Sequence, residues 1–264
     1  PDGYRGTYKT HEPECGAAYA AMANQVLEVA TSGGRTIAGC LVESILGCGG
    51  QVPLPVGYLE RLYANVRQAG GVCIADEVQI GFGRVGSHFW GFQQHNVVPD
   101  IVTMGKPIGN GHPLGAVVTT REIADAFDNG MEYFNTFGGN PVSCAVGMAV
   151  LDVIEKEQLQ QRAAKIGNWL LAQLGELKVQ FPCIGDVRGS GLFLGIELVL
   201  DHHLLLPATD LAKAIVERMK DRRILLSTDG PYGNVIKFKP PMVFTEGDAE
   251  RLVATLRETF DELV

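Results

Sequence analysis

Apolar positions follow two rhythms along the chain. TIAGCLVE (36–43), VCIADEV (72–78), IVTMG (101–105) and AVVTT (116–120) are short, mostly apolar runs with β-branched residues, and they predict buried strands. Between the first two, Tyr58, Leu59, Leu62, Tyr63 and Val66 recur at helical spacing over 54–69, and Gly70-Gly71 stops that helix. Residues 140–175 predict one long helix or a broken pair. Short strands alternating with helices imply an α/β fold with a mainly parallel sheet. The later part reads differently: a strand pair around GLFLGIELV (191–199), an amphipathic helix at 208–220, short strands RILLS and NVIKFK, and a closing helix at 247–262. A boundary near residue 155, inside the long helix, then separates a large domain (1–155) from a small α+β domain (156–264).

Composition narrows the function classes. The 264 residues are 46% hydrophobic and 20% charged, enough apolar material for a proper core. A formal net charge of -8 speaks against a nucleic-acid-binding surface while leaving room for a local cationic pocket. No apolar run approaches the roughly 20 residues that span a bilayer. The opening residues PDGYRGTYKT lack the layout of a signal peptide. Six cysteines (Cys15, Cys40, Cys48, Cys73, Cys144, Cys183) show neither CxxC pairs nor Cys/His spacing. They read as reduced, buried thiols of a cytoplasmic protein, with no metal site.

Candidate chemistry gathers at strand ends, where open α/β sheets bind ligands. Asp76 and Glu77 follow VCIA, and Lys106 follows IVTMG. Pyridoxal phosphate asks a protein for a lysine to form a Schiff base, a carboxylate to keep the pyridine nitrogen protonated, and donors for the phosphate. Lys106 and Asp76 suit the first two tasks. On spacing alone, an ordinary ion pair or two unrelated surface residues is the favoured account.

Longer motifs change that balance. IADEVQIGFGRVG (74–86), PDIVTMGKPIGNGHPLGAVV (99–118) and TFGGNPVSCAVG (136–147) occur in one order. Together they resemble the signature of class-III aminotransferases, pyridoxal-phosphate enzymes of fold type I, and the likeness runs from about residue 35 to the C-terminus. The resemblance implies a large domain with a mainly parallel sheet plus a small C-terminal domain. It implies that Lys106 carries the imine, Asp76 pairs with the pyridine nitrogen, Val78 packs on one ring face and Gln79 serves the ring hydroxyl side. Thr136 would reach the cofactor phosphate of the neighbouring subunit, so that a homodimer shares its sites. Glu77 reads as a supporting or structural carboxylate, His88, His95 and His112 as core or surface histidines, and Phe89 and Trp90 as core fillers.

Two departures from the family pattern bear on the substrate. Members acting on amino acids usually carry an arginine two residues before an x-Pro-Pro turn, where it clamps a carboxylate. This chain has NVIKFKPPM, with Lys237 at that position and Lys239 on the same face of a strand. A guanidinium fork matches a carboxylate, whereas an ammonium acts as a point charge and is compatible with phosphate. Solvated lysines on an exposed strand are the plainer account. Where many members have EPVQGEGG, this chain has ESILGCGGQ, in which Glu43 would face Lys237. These segments, with GFGRVGSHFW and GMEYFNTFGGNPVSCAVG, look much like the ethanolamine-phosphate and phosphohydroxylysine phospho-lyases, a branch of the family. A phosphorylated amine is therefore the leading substrate class. An ω-aminotransferase using a keto acid remains the first alternative. The second is an inactive fragment or assembly module, because a phosphate-gripping loop and ring-stacking aromatic expected upstream of PDGYRG are not found, as though this were a C-terminal portion.

Overall fold

The computed structural model describes residues 1–264. In chain order the elements are α1 (Cys15–Ser32), β1 (Gly39–Glu43), β2 (Ile45–Leu46), β3 (Val52–Pro53), α2 (Tyr58–Gln68), β4 (Val72–Asp76), β5 (Ile101–Met104), α3 (Lys106–Gly109), β6 (Ala116–Thr119) and α4 (Arg121–Phe127). Then come α5 (Pro141–Lys156), α6 (Leu159–Gln180), β7 (Ile184–Ser190), β8 (Phe193–Asp201), β9 (Leu206–Pro207), α7 (Thr209–Asp221), β10 (Ser227–Asp229), β11 (Val235–Phe238) and α8 (Glu246–Leu263). A short 3₁₀ turn covers Gly91–His95. No helix is long and apolar enough to cross a membrane.

The first sheet has the order β1-β4-β5-β6. β1 with β4 and β4 with β5 are parallel, while β6 runs antiparallel to β5. Tyr58, Leu59, Leu62, Tyr63 and Val66 of α2 are buried against Cys73 of β4 and Ala20 of α1. The predicted apolar stripe thus becomes the helix-facing layer of the core. α1 was not foreseen. Only Cys15, Gly16 and Ala20 of it are buried, and a Cβ on Gly16 would lie 1.9 Å from the Val56 carbonyl oxygen, so glycine permits that close approach. The strands are less buried than their apolar runs suggested: Leu41 is 61% exposed and Val117 65%.

The expected long helix is a broken pair. Asn140 caps α5 by accepting a hydrogen bond from the Ser143 amide at 2.9 Å, with Pro141 at the first turn. Gln158 takes a left-handed conformation (φ 51) between α5 and α6. The boundary expected near residue 155 lies in the last turn of α5, just before this break. Beyond it, an antiparallel sheet of order β10-β11-β8-β7, with β9 on β8, packs with α6, α7 and α8. Leu170, Leu174 and Leu177 of α6 meet Ile196 and Leu198 of β8 and Leu256 and Phe260 of α8 in one core of 22 buried residues. Full burial of each such side chain stabilises by about 1.5–3 kcal/mol relative to exposure. Thr245 and Asp248 form a capping box that starts α8. RILLS was expected as a strand, but β10 begins only at Ser227, because residues 223–226 pair with no neighbouring strand.

Asp100 ties the first sheet to α2. It takes hydrogen bonds from Arg67 Nη2 at 2.9 Å and Nε at 3.2 Å, and from the Cys73 amide at 2.7 Å. Burial pushes its carboxyl up, but the Arg67 and Cys73 hydrogen bonds outweigh that and hold it below its ordinary range. A depressed carboxyl stabilises the fold above the unfolded pKa, and that stability is lost as pH falls through the folded pKa. Asp100→Asn is therefore expected to cost about 1–2 kcal/mol at neutral pH. Urea melts of the two proteins should converge as pH falls through the depressed folded-state pKa of Asp100.

Candidate active site

Parallel pairing sets the site. Asp76, the last residue of β4, stands in register with Thr103 of β5, three positions before Lys106. Both side chains thus sit at the carboxyl end of neighbouring parallel strands. Lys106 opens α3, with Pro107 behind it and Gly105 before it. A Cβ on Gly105 would lie 2.9 Å from Val78 Cγ1, so glycine lets Val78 stand directly beside the lysine turn. Asp76 is half-buried, and its Oδ1 accepts a hydrogen bond from the Val78 amide at 3.0 Å.

Lys106 is exposed in a cleft of about 510 Å³ whose walls include Cys48, Gln79, Arg84, Lys237 and Lys239. The structure therefore brings Lys106, Gln79, Lys237 and Lys239 together across the two halves of the chain. Gln79 Oε1 accepts a hydrogen bond from Lys239 Nζ at 3.0 Å, and that ammonium lies 5.0 Å from the centre of the Phe193 ring. Thr136 is not in this cleft. It sits on an exposed loop before α5, where Met131, Tyr133, Phe134 and Phe137 are 73–81% exposed.

The expected partner of Lys237 is wrong. Glu43 Oε2 instead accepts a hydrogen bond from the Gly47 amide at 2.6 Å. Lys237 Nζ donates to Asp229 Oδ1 at 2.8 Å. The strand register explains this: Ser227 faces Lys237 across the β10–β11 pair, which makes Asp229 the diagonal neighbour on the same face. Asp229 Oδ2 also lies 3.5 Å from Lys239 Nζ and 2.8 Å from Gln51 Nε2. Burial acts to raise the Asp229 carboxyl, yet the Lys237 and Gln51 hydrogen bonds and the Lys239 charge leave it below the usual range. Burial lowers the Lys239 ammonium, with Asp229 opposing.

Arg84 was passed over in the sequence although it stands inside the GFGRVG motif. Its Nη1 donates to the Leu192 carbonyl at 3.0 Å and to the Pro240 carbonyl at 2.9 Å, tying this loop to the turn after the lysines. Its only hydrogen-bond partners are carbonyls, and with no carboxylate to oppose it burial depresses its guanidinium to about 10. Asp229 and Gln51 carried no signal, since a single acid in a turn and a single amide resemble ordinary loop residues. The thiols were expected to be buried, but Cys48 and Cys144 are exposed, Cys48 because it lines the cleft.

Glu77 is structural. It is fully buried and accepts hydrogen bonds from the Gly91 and Phe92 amides, both at 2.9 Å, and from Ser44 Oγ at 3.2 Å. Burial pushes its carboxyl up while these donors pull the other way. The histidines are equally local: His95 Nε2 pairs with the Ser44 carbonyl at 3.1 Å and His112 Nε2 with Ser143 Oγ at 2.8 Å. Phe89 and Trp90 pack with Phe82, at 5.5 and 5.1 Å between ring centres.

Comparison with known proteins gives this geometry a family. Residues 4–260 match aminotransferase class-III. The chain belongs to that family. It is similar to an alanine–glyoxylate aminotransferase 2-like protein of Drosophila melanogaster, 52% identical over 98% of this chain and 53% of the fly protein. Human alanine–glyoxylate aminotransferase 2, named mitochondrial, is 44% identical over 89% of this chain and 46% of its own length. The chain thus spans about half the length of these relatives. Among solved structures, a phospholyase from Arthrobacter in complex with phosphoethanolamine superposes with a TM-score of 0.94 at 40% identity, covering 100% of this chain and 62% of that one. A pyridoxal-phosphate-bound amine transaminase from an uncultivated Pseudomonas species gives 0.88 at 34% identity, covering 100% of this chain and 61% of that one. The shared architecture is that of fold type I pyridoxal-phosphate transferases.

The buried and exposed members of the site should respond differently to substitution. Glu77→Gln leaves at least one of three buried donors without an acceptor and is expected to destabilise by about 1–3 kcal/mol. Lys106→Ala, at an exposed position, should shift stability by no more than about 0.5 kcal/mol. Denaturant melts of the two variants check that ranking.

Proposed function

We propose that Lys106 holds pyridoxal 5′-phosphate and that the site eliminates phosphate from a phosphorylated amino alcohol of the phosphoethanolamine type. With water, the products are an aldehyde, ammonia and inorganic phosphate. One observation carries the substrate class: two further lysines, Lys237 and Lys239, line the cleft that contains Lys106. Compact ammonium groups bind phosphate as point charges and lack the planar fork that grips a carboxylate with two parallel hydrogen bonds. The Arthrobacter phospholyase, solved with phosphoethanolamine, supports the same reading.

The residues present fit the cofactor. Lys106 is exposed, Asp76 ends the neighbouring strand, and Val78 stands against the lysine turn. Asp76 would hold the proton on the pyridine nitrogen, Val78 would wall one ring face, and Gln79, steered by Lys239, would serve the hydroxyl side. Bound there, the cofactor supplies an electron sink for the carbon next to the substrate nitrogen. Lys106 would be the base that takes the proton from that carbon. Lys237 and Lys239 hold the phosphate and balance its charge as the carbon–oxygen bond breaks. The exposed apolar loop around Thr136 suits a homodimer interface, through which Thr136 would serve the partner's cofactor phosphate.

Transamination is the second reading, favoured by the names of the fly and human relatives. The two share proton removal by Lys106 and differ in the next step, departure of phosphate or return of the proton. Incubation of the cofactor-loaded protein with phosphoethanolamine is expected to release equal amounts of phosphate and ammonia. Amine-dependent conversion of pyruvate or 2-oxoglutarate without phosphate release would make it a transaminase. Lys106→Ala should abolish turnover and the visible absorbance of the bound cofactor; a chain that never gains that absorbance would instead be an inactive fragment. Lys237→Met is expected to raise KM for phosphoethanolamine about 10- to 100-fold, the loss of one charge-assisted hydrogen bond.

A further inference from the structure

Asp229 is the one carboxylate that touches the two cleft lysines: its Oδ1 takes Lys237 Nζ at 2.8 Å and its Oδ2 lies 3.5 Å from Lys239 Nζ. It is also the fixed member of the group. Its side chain is only 10% exposed, and Oδ2 accepts from Gln51 Nε2 at 2.8 Å. Gln51, fully buried, donates as well to the Gly47 carbonyl at 2.8 Å, and the next backbone amide, Gly230 N, bonds the Cys48 carbonyl at 3.0 Å. The lysines are the movable members, each with a long stem and three donors on its ammonium.

An anion entering the cleft must therefore share or take ammonium groups that Asp229 already holds. We infer that Asp229 is a resident counter-anion that competes with phosphate for Lys237 and Lys239, and so sets how tightly phosphate is bound and how readily it leaves. The inference rests on the phosphate reading of this cleft. In the empty site the carboxylate offsets the repulsion between two neighbouring ammonium groups. When phosphate arrives, the lysine heads swing to it while Asp229 stays on Gln51. After elimination the same carboxylate takes the lysines back and weakens the hold on inorganic phosphate.

A carboxylate that merely braced the lysines would, on removal, weaken anion binding; a competitor would strengthen it. The test is calorimetric titration of inorganic phosphate and of acetate into protein loaded with pyridoxal 5′-phosphate and freed of excess cofactor. Asp229→Asn, which keeps an acceptor for Gln51, is expected to bind phosphate about tenfold or more tightly, since one opposing charge a few ångströms away is gone. That gain should vanish when Lys237 and Lys239 are both methionine in the same background. Unchanged or weaker phosphate binding by Asp229→Asn overturns the inference, as does a gain that persists without the lysines. Wild-type protein that binds acetate as tightly as phosphate, with Asp229→Asn improving both, would sink the phosphate reading and leave the competition standing. Should Asp229→Asn fold poorly, carbon NMR of the wild-type Asp229 carboxylate gives an independent answer. Saturating phosphate is expected to raise its pKa toward the ordinary carboxylate value as the lysines leave, and no change would overturn the inference.

Discussion

The hydrogen bonds between β4 and β5 run parallel, in a register that sets Asp76 beside Thr103. Because the strands point the same way, the chain leaving each of them emerges on one side of the sheet. A carboxylate at the end of one strand and a lysine at the end of the next then become neighbours with no side-chain contact needed to bring them there. The α2 stripe that buries Tyr63 and Val66, and the Asp100 tie to Arg67 and Cys73, hold these strands in place. Most of what stabilises this half of the chain lies behind the sheet, leaving the strand ends free for chemistry.

The other lysines of the cleft come from the second half of the chain. β11 and the residue just past it bring Lys237 and Lys239, and the loop bearing Gln79 and Arg84 reaches across to this segment. The small cluster of Ile45, Ile80, Val85 and Phe193 packs beneath this junction and fixes where the two halves touch. The cleft therefore takes Lys106 from one half of the chain and Lys237 and Lys239 from the other.

The periodic elements were legible in the sequence because burial on one face imposes a rhythm. α2, α7 and α8 show it, and the break between α5 and α6 was among the forms expected. α1 escaped notice because its alanine-rich stretch makes little distinction between faces, and only three of its residues are buried. A motif singles out Lys106 and Asp76, and the β4–β5 register sets them at the ends of neighbouring strands. Glu43 was misassigned because a partner was carried over from a pattern that has an arginine where this chain has Lys237. The actual partner, Asp229, depends on antiparallel register between β10 and β11, which no short motif encodes. Arg84 shows the same limit: its bonds to the Leu192 and Pro240 carbonyls join positions far apart in the chain.

The central claim is that a substrate's nitrogen lies toward Lys106 while its phosphate lies on Lys237 and Lys239. A structure of the cofactor-loaded protein with 2-aminoethylphosphonate tests it most directly, because the carbon–phosphorus bond of this analogue cannot be eliminated as phosphate. The account predicts phosphonate oxygens within about 3 Å of both Lys237 Nζ and Lys239 Nζ, with the amine at the Lys106 side of the cleft. A phosphonate bound elsewhere, with Lys237 and Lys239 still on Asp229, would contradict it.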